Sequence, residues 1–140
     1  MHKEIKKFLN NSHLLTLSVL DSSDLNSLEV YSANCYYVFY EECLSLIFKS
    51  EAASKHIQLA EVNPLVGVSV AKDSSHLADI EGVQIKAEFK KAKEAEIKAY
   101  YKRFPFARLG GGEIFSLEIY FAKYTNNKLL LKEKLTYVKD

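Results

Sequence analysis

Between Asp79 and Lys91 the chain changes character at nearly every residue. Val83, Ile85, Ala87 and Phe89 are apolar, and Gln84, Lys86, Glu88 and Lys90 between them are polar. A period of two is that of a β-strand with one face on a core. The other face must meet water or line a site. Glu113 to Thr125 repeats the pattern, which places Phe115, Leu117, Ile119 and Phe121 inward. His13 to Leu20 alternates through Leu15, Leu17 and Val19, and Leu65 to Ala71 through Val66, Val68 and Val70. Leu28 to Tyr40 is rich in aromatic and β-branched residues, as strands are. Leu44 to Lys49 follows it after only Glu41, Glu42 and Cys43, so the two form an antiparallel hairpin. Asn126-Asn127 is a turn signal, and Leu129 to Val138 forms a last strand or two.

Three segments have helical spacing. Ile5 to Asn10 places Ile5, Phe8 and Leu9 on one side; Ser54 to Val62 has Ser54 as a candidate N-cap and ends before Pro64. Ala92 to Arg103 is the strongest, with Ile97, Tyr100, Tyr101 and Phe104 on one stripe and Pro105 as its stop. Many long amphipathic strands in 140 residues would leave an open sheet with exposed edges. Closing them into a small barrel with flanking helices removes those edges. The expected fold is therefore mainly β: six or seven antiparallel strands closed into a barrel, as one domain spanning residues 1–140.

Composition narrows the function classes. Nineteen Lys and Arg against eighteen Asp and Glu leave a net charge of +1, without the basic excess of a nucleic-acid binder. No apolar run approaches the ~20 residues that span a membrane, and Met1 to Lys7 leads into no signal-peptide core. Cys35 and Cys43 are too few for a disulfide scaffold, so a cytoplasmic protein is expected. There is no Cys-x-x-Cys, and His2, His13, His56 and His76 show no metal-ligand spacing, so no metal site is expected. Gly110-Gly111-Gly112 precedes a strand rather than a helix, and reads as a flexible loop rather than a phosphate loop.

Two segments carry candidate chemistry. In Phe48-Lys49-Ser50-Glu51-Ala52-Ala53-Ser54-Lys55-His56, hydroxyls, lysines and a histidine gather where a strand gives way to a helix. Unpaired N–H groups at the helix start favour an anion, so the segment suits a phosphate; it equally suits a serine-capped helix with exposed lysines. In Tyr31-Ser32-Ala33-Asn34-Cys35-Tyr36-Tyr37-Val38-Phe39-Tyr40, aromatic faces and main-chain groups suit a flat heterocycle; they also suit a barrel core or a dimer interface.

Five stretches, His13 to Leu17, Ser32 to Phe39, Ser54-Lys55-His56, Glu81 to Glu88 and Tyr101 to Arg108, run in order over nearly the whole chain. Together with the order of elements they resemble the FMN-binding split barrel, the fold of pyridoxamine-phosphate oxidase, and within it the YhbP family. The resemblance implies a six-stranded barrel that forms a homodimer with FMN at the subunit interface. It implies Lys49, Ser50, Ser54 and Lys55 around the phosphate, the isoalloxazine along Ala33, Asn34, Cys35, Tyr36 and Tyr37, and the Gln84 amide at the ring edge. It carries over no arginine near Ser54 and no substrate-binding residues, so vitamin B6 oxidation is not implied. The function implied is an FMN-dependent oxidoreductase between a small-molecule donor and acceptor, with catalytic residues unassigned. The alternatives are a flavin carrier, a split barrel holding haem or deazaflavin with His56 or His13 as axial ligand, and an apo structural dimer.

Overall fold

The computed structural model describes residues 1–129 and 134–140. In chain order the elements are α1 (Lys3–Asn11), β1 (Leu14–Asp21), β2 (Glu29–Tyr40), β3 (Ser45–Ser50), α2 (Lys55–Val62), β4 (Leu65–Ala71), β5 (Glu81–Lys91), α3 (Glu94–Arg103), β6 (Glu113–Asn126) and β7 (Leu135–Val138). Short 3-10 turns at Glu41–Cys43, Leu77–Asp79, Pro105–Leu109 and Asn127–Leu129 join them.

Every strand pairing is antiparallel. The order is β3-β2-β1-β4-β5-β6, and β6 returns to β3, so six strands close a barrel. β6 is long enough to serve two neighbours along one edge. Its first half, Glu113–Glu118, pairs with β3, and Phe121–Tyr124 pairs with β7. Of the expected strand over Leu129 to Val138, Leu135–Val138 is formed, and residues 130–133 lie outside the described residues.

Alternation along the strands builds the interior. Leu15, Leu17 and Val19 of β1, Val66, Val68 and Val70 of β4, and Val83, Ile85, Ala87 and Phe89 of β5 are all buried in one cluster. Phe115, Leu117 and Ile119 of β6 join them. Ile5, Phe8 and Leu9 of α1 and Ile57 and Ala60 of α2 complete that same cluster, so both helices add to the barrel interior. α3 packs outside, where Tyr100 meets Ile47 and Ile114 on the outward faces of β3 and β6. Glu96 anchors it: its buried carboxylate accepts hydrogen bonds from the Lys93 N–H and the Ser116 hydroxyl, both at 2.8 Å.

The inward assignment of Phe121 is corrected. Lys86 pairs with Phe121 and Ala87 with Ile119, so Tyr120 is an extra residue on β6. Such a bulge moves all later side chains to the opposite face. Ala122 and Tyr124 therefore fill the core, and Phe121 turns outward with the Lys86 ammonium 5.3 Å from its ring centre. The glycine loop is also a close-approach element. Gly112 has φ +105°, and a side chain there would meet the Ser50 carbonyl at 3.1 Å; one at Gly111 would meet the Glu51 carboxylate at 3.2 Å.

Candidate functional site

β2 and β3 pair only where Tyr37–Tyr40 faces Ser45–Phe48. Beyond Phe48 they part: Lys49 and Ser50 stay with β6, while β2 runs back to Glu29 paired with β1 alone. Residues 29–36 of β2 thus present one edge with no strand partner among the described residues. Such an edge is a row of available N–H and C=O groups. The chain from Ser50 to the first turn of α2 continues from the β3 side of this wedge. Lys55 links it to β2, with its Nζ 4.8 Å from the Tyr31 ring centre and 4.0 Å from the Asp21 carboxylate.

Ser54 occupies the N-cap position of α2, but its side chain makes no cap hydrogen bond. The expected serine cap is therefore absent. The first-turn N–H groups of α2 lack intrahelical partners and carry the positive end of the helix dipole. Beside them the Ser50 hydroxyl lies 2.8 Å from His56 Nε2. Burial lowers the His56 pKa, which favours the neutral ring.

Lys49 turns the other way. Its Nζ donates to the Ala107 carbonyl at 2.5 Å and the Gly110 carbonyl at 3.1 Å, and lies 5.1 Å from the Tyr101 ring centre. Arg108 stacks on that same ring, its guanidinium carbon 4.2 Å from the centre. The loop from Pro105 to Gly112 is thereby clamped to the β3 end. This brings an arginine to the neighbourhood of Lys49, although 59 positions separate the two in sequence and no local motif signals the approach.

The β2 residues divide by face. Cys35 and Tyr37 point into the barrel. Burial raises the Cys35 thiol to about 11 and pushes the Tyr37 phenol up as well, and Tyr37 donates its hydroxyl to the Leu9 carbonyl at 2.9 Å. Their side chains belong to the core, so these two residues offer a ligand main chain only. Ala33 is half-buried; Asn34 and Tyr36 are exposed on the outer face. Asn34 accepts a hydrogen bond from the Thr16 hydroxyl at 2.9 Å, and Tyr36 stacks with His13 at 6.0 Å and 5°.

Gln84 lies on that outer face but away from the wedge. The pairing runs Asn34–Thr16–Ser69–Gln84 across four strands. Three inter-strand gaps separate the ends, roughly 14 Å. The next row, Ser32–Ser18–Gly67–Lys86, also consists of small and polar residues. A larger cavity, about 760 Å³, lies beside α1 between residues such as Phe8, Lys72, Glu81 and Tyr124; it includes none of the residues expected around FMN, but His13, the candidate axial ligand, lines it. Among the described residues no three His, Cys, Asp or Glu side chains gather to hold a metal ion, and no helix is long and apolar enough to cross a membrane.

Comparison with known proteins settles the family. A UPF0306 protein of Campylobacter jejuni is 38% identical over 140 residues, covering 99% of both chains. The chain belongs to the UPF0306 family. A UPF0306 protein of Yersinia pestis is 33% identical over 135 residues, covering 94% of this chain and 88% of that one. No family model matches the chain. Solved structures agree on its split-barrel fold. The haem storage protein HutZ of Vibrio cholerae superposes with TM-score 0.65 at 18% identity, over 97% of this chain and 92% of that one. A FAD-binding protein of Mesorhizobium loti gives 0.69 at 16%, over 85% and 87%. A haem-binding protein of Mycobacterium smegmatis gives 0.72 at 9%, over 91% and 53%.

Proposed function

We propose that the wedge between β2 and the start of α2 binds FMN, and that the protein is a flavin-dependent oxidoreductase acting between a small-molecule donor and acceptor. One observation carries the reading: the unpaired β2 edge at residues 29–36 and an uncapped helix start are joined by Lys55 reaching to Tyr31. A flat ring with donors and acceptors on its rim suits the edge, and a phosphate suits the helix start.

The residues fit the group. The Ser54 hydroxyl has no cap bond to give up. Lys55 is exposed, with its Nζ 4.0 Å from the Asp21 carboxylate and 4.8 Å from the Tyr31 ring centre, and adds charge at the phosphate. Ser50 and His56 brace the turn between them. Lys49, held by two carbonyls, shapes the loop beside the site and contributes its charge from there. Ala33, Asn34 and Tyr36, with the main chain of Cys35 and Tyr37, receive the ring. Bound flavin would supply hydride and single-electron transfer, which the side chains here do not provide on their own. The protein's part is to bind, orient and shield it.

The rows of small and polar residues from Ser32 to Lys86 and from Asn34 to Gln84 suit pairing with a second copy about a two-fold axis. In such a homodimer Gln84 would serve the partner's ring edge, which accounts for its distance from Asn34.

Haem is the second reading, supported by the haem proteins among the structural neighbours. His56 would first have to leave Ser50, whereas His13 is exposed on the outer face. The absorption spectrum of the purified protein, followed by FMN, riboflavin and haemin titrations, tests both. FMN binding tighter than riboflavin supports the proposal; a Soret band with no flavin uptake overturns it in favour of haem.

A further inference from the structure

On the outer side of β2, away from the helix start, lies an open cleft of about 380 Å³ lined by Tyr36, Tyr100, Arg103, Phe104, Phe106 and the chain between them. Its walls are aromatic. Tyr36 and Phe104 meet edge-on at 6.3 Å and Tyr100 and Phe104 at 5.1 Å, while Phe106 leaves 84% of its surface to solvent. Leaving a phenyl ring bare costs free energy that a ligand or partner recovers.

Arg103 supplies the charge. Its guanidinium carbon lies 5.1 Å from the Phe104 ring centre, and among the described residues it has no carboxylate partner. Among the described residues no acidic side chain lines the cleft. A guanidinium presents paired N–H donors that match a carboxylate, and a cation above an aromatic wall favours an anion that brings its own ring. The volume suits one or two fused rings. Among the described residues of the lining, a phosphate dianion would find only this one charged donor.

We infer that this cleft binds a small aromatic carboxylate, with Arg103 on the carboxylate and Tyr36, Phe104 and Phe106 around the ring. Because Tyr36 also borders the wedge, the ligand lies beside the proposed flavin; its role as a reactant there rests on that reading, but its binding does not.

The test uses 2-naphthoate and its neutral analogue 2-naphthamide as fluorescent probes at low salt, with wild type, Arg103→Met, Phe106→Ser and Lys55→Ala. Naphthoate should bind about tenfold more tightly than naphthamide. Arg103→Met should abolish that preference while leaving naphthamide unchanged, Phe106→Ser should weaken both probes, and Lys55→Ala should change neither. Equal affinity for the two probes, a preference that survives Arg103→Met, or no saturable binding would each overturn the inference. Parallel FMN titrations keep the two readings apart. Naphthoate selectivity without FMN binding leaves the cleft standing and removes the flavin; the reverse removes the cleft alone.

Discussion

Lys55 Nζ stands 4.8 Å from the centre of the Tyr31 ring, joining the first residue of α2 to the part of β2 whose outer edge has no strand partner among the described residues. The contact spans the two segments singled out for phosphate and ring. The Asp21 carboxylate, 4.0 Å from the same nitrogen, competes for its charge.

Lys55→Ala is therefore expected to weaken FMN binding about ten- to hundredfold, the worth of one charge-assisted hydrogen bond. Riboflavin, which lacks the phosphate, should bind nearly as before. Asp21→Asn should act in the opposite direction, tightening FMN by about two- to fivefold. Fluorescence quenching titrations of both flavins measure this, and equal losses for FMN and riboflavin would show the phosphate to lie elsewhere.

Ser54→Ala separates binding from stability. A serine that bonds the helix start is worth about 1 kcal/mol as a cap, but this one makes no such bond. Urea denaturation should show a loss below about 0.5 kcal/mol, while FMN affinity falls. A full cap-sized loss of stability would contradict the uncapped geometry.

Gly112→Ala should destabilise the protein by about 1–3 kcal/mol. The backbone at φ +105° disfavours any side chain, and the new Cβ would press on the Ser50 carbonyl. Since Lys49 also packs against Gly112, the variant should loosen the Pro105–Gly112 loop, read as faster amide exchange at Ala107 and Gly110.

Gly67 is the contrasting glycine. An added Cβ there meets only Ser18, at 3.9 Å, so the monomer tolerates a side chain. Gly67→Glu puts a charge in the middle of the outer face, beside Lys86. Light scattering should show a dimer for wild type and a monomer for the variant, with far-UV circular dichroism alike. A wild-type monomer would remove the proposed pairing.

Glu118 sets an acid limit on stability. Hydrogen bonds from Lys139, at 2.5 Å, and from Lys90 lower its pKa from 4.5 to about 2. A carboxyl depressed on folding contributes stability above its unfolded value and loses it as pH falls through the folded one. The melting temperature should thus fall between pH 4.5 and about 2. Glu118→Gln should flatten that slope and free β7, whose end Lys139 secures.

Strand and helix identities were legible in the sequence because burial on one face imposes a period that local residues display. Val83, Ile85 and Phe89 of β5 and Leu15, Leu17 and Val19 of β1 point inward as their alternation requires. The ordered stretches from His13 to Arg108 also carried the split-barrel resemblance, and the superpositions agree with it. Tertiary structure decided what no local pattern records. A single extra residue at Tyr120 sent Phe121 outward and Tyr124 inward, because parity counts residues and cannot see a bulge. The Ser54 side chain stayed off the helix start, since cap geometry depends on how the preceding loop arrives. The meeting of Lys49 with Ala107 and Gly110, of Lys55 with Tyr31, and of Arg108 with Tyr101 came from barrel closure alone. Periodicity is a property of neighbours in the chain; a site made where β2 and β3 part depends on distances across the barrel, and only the closed sheet sets those.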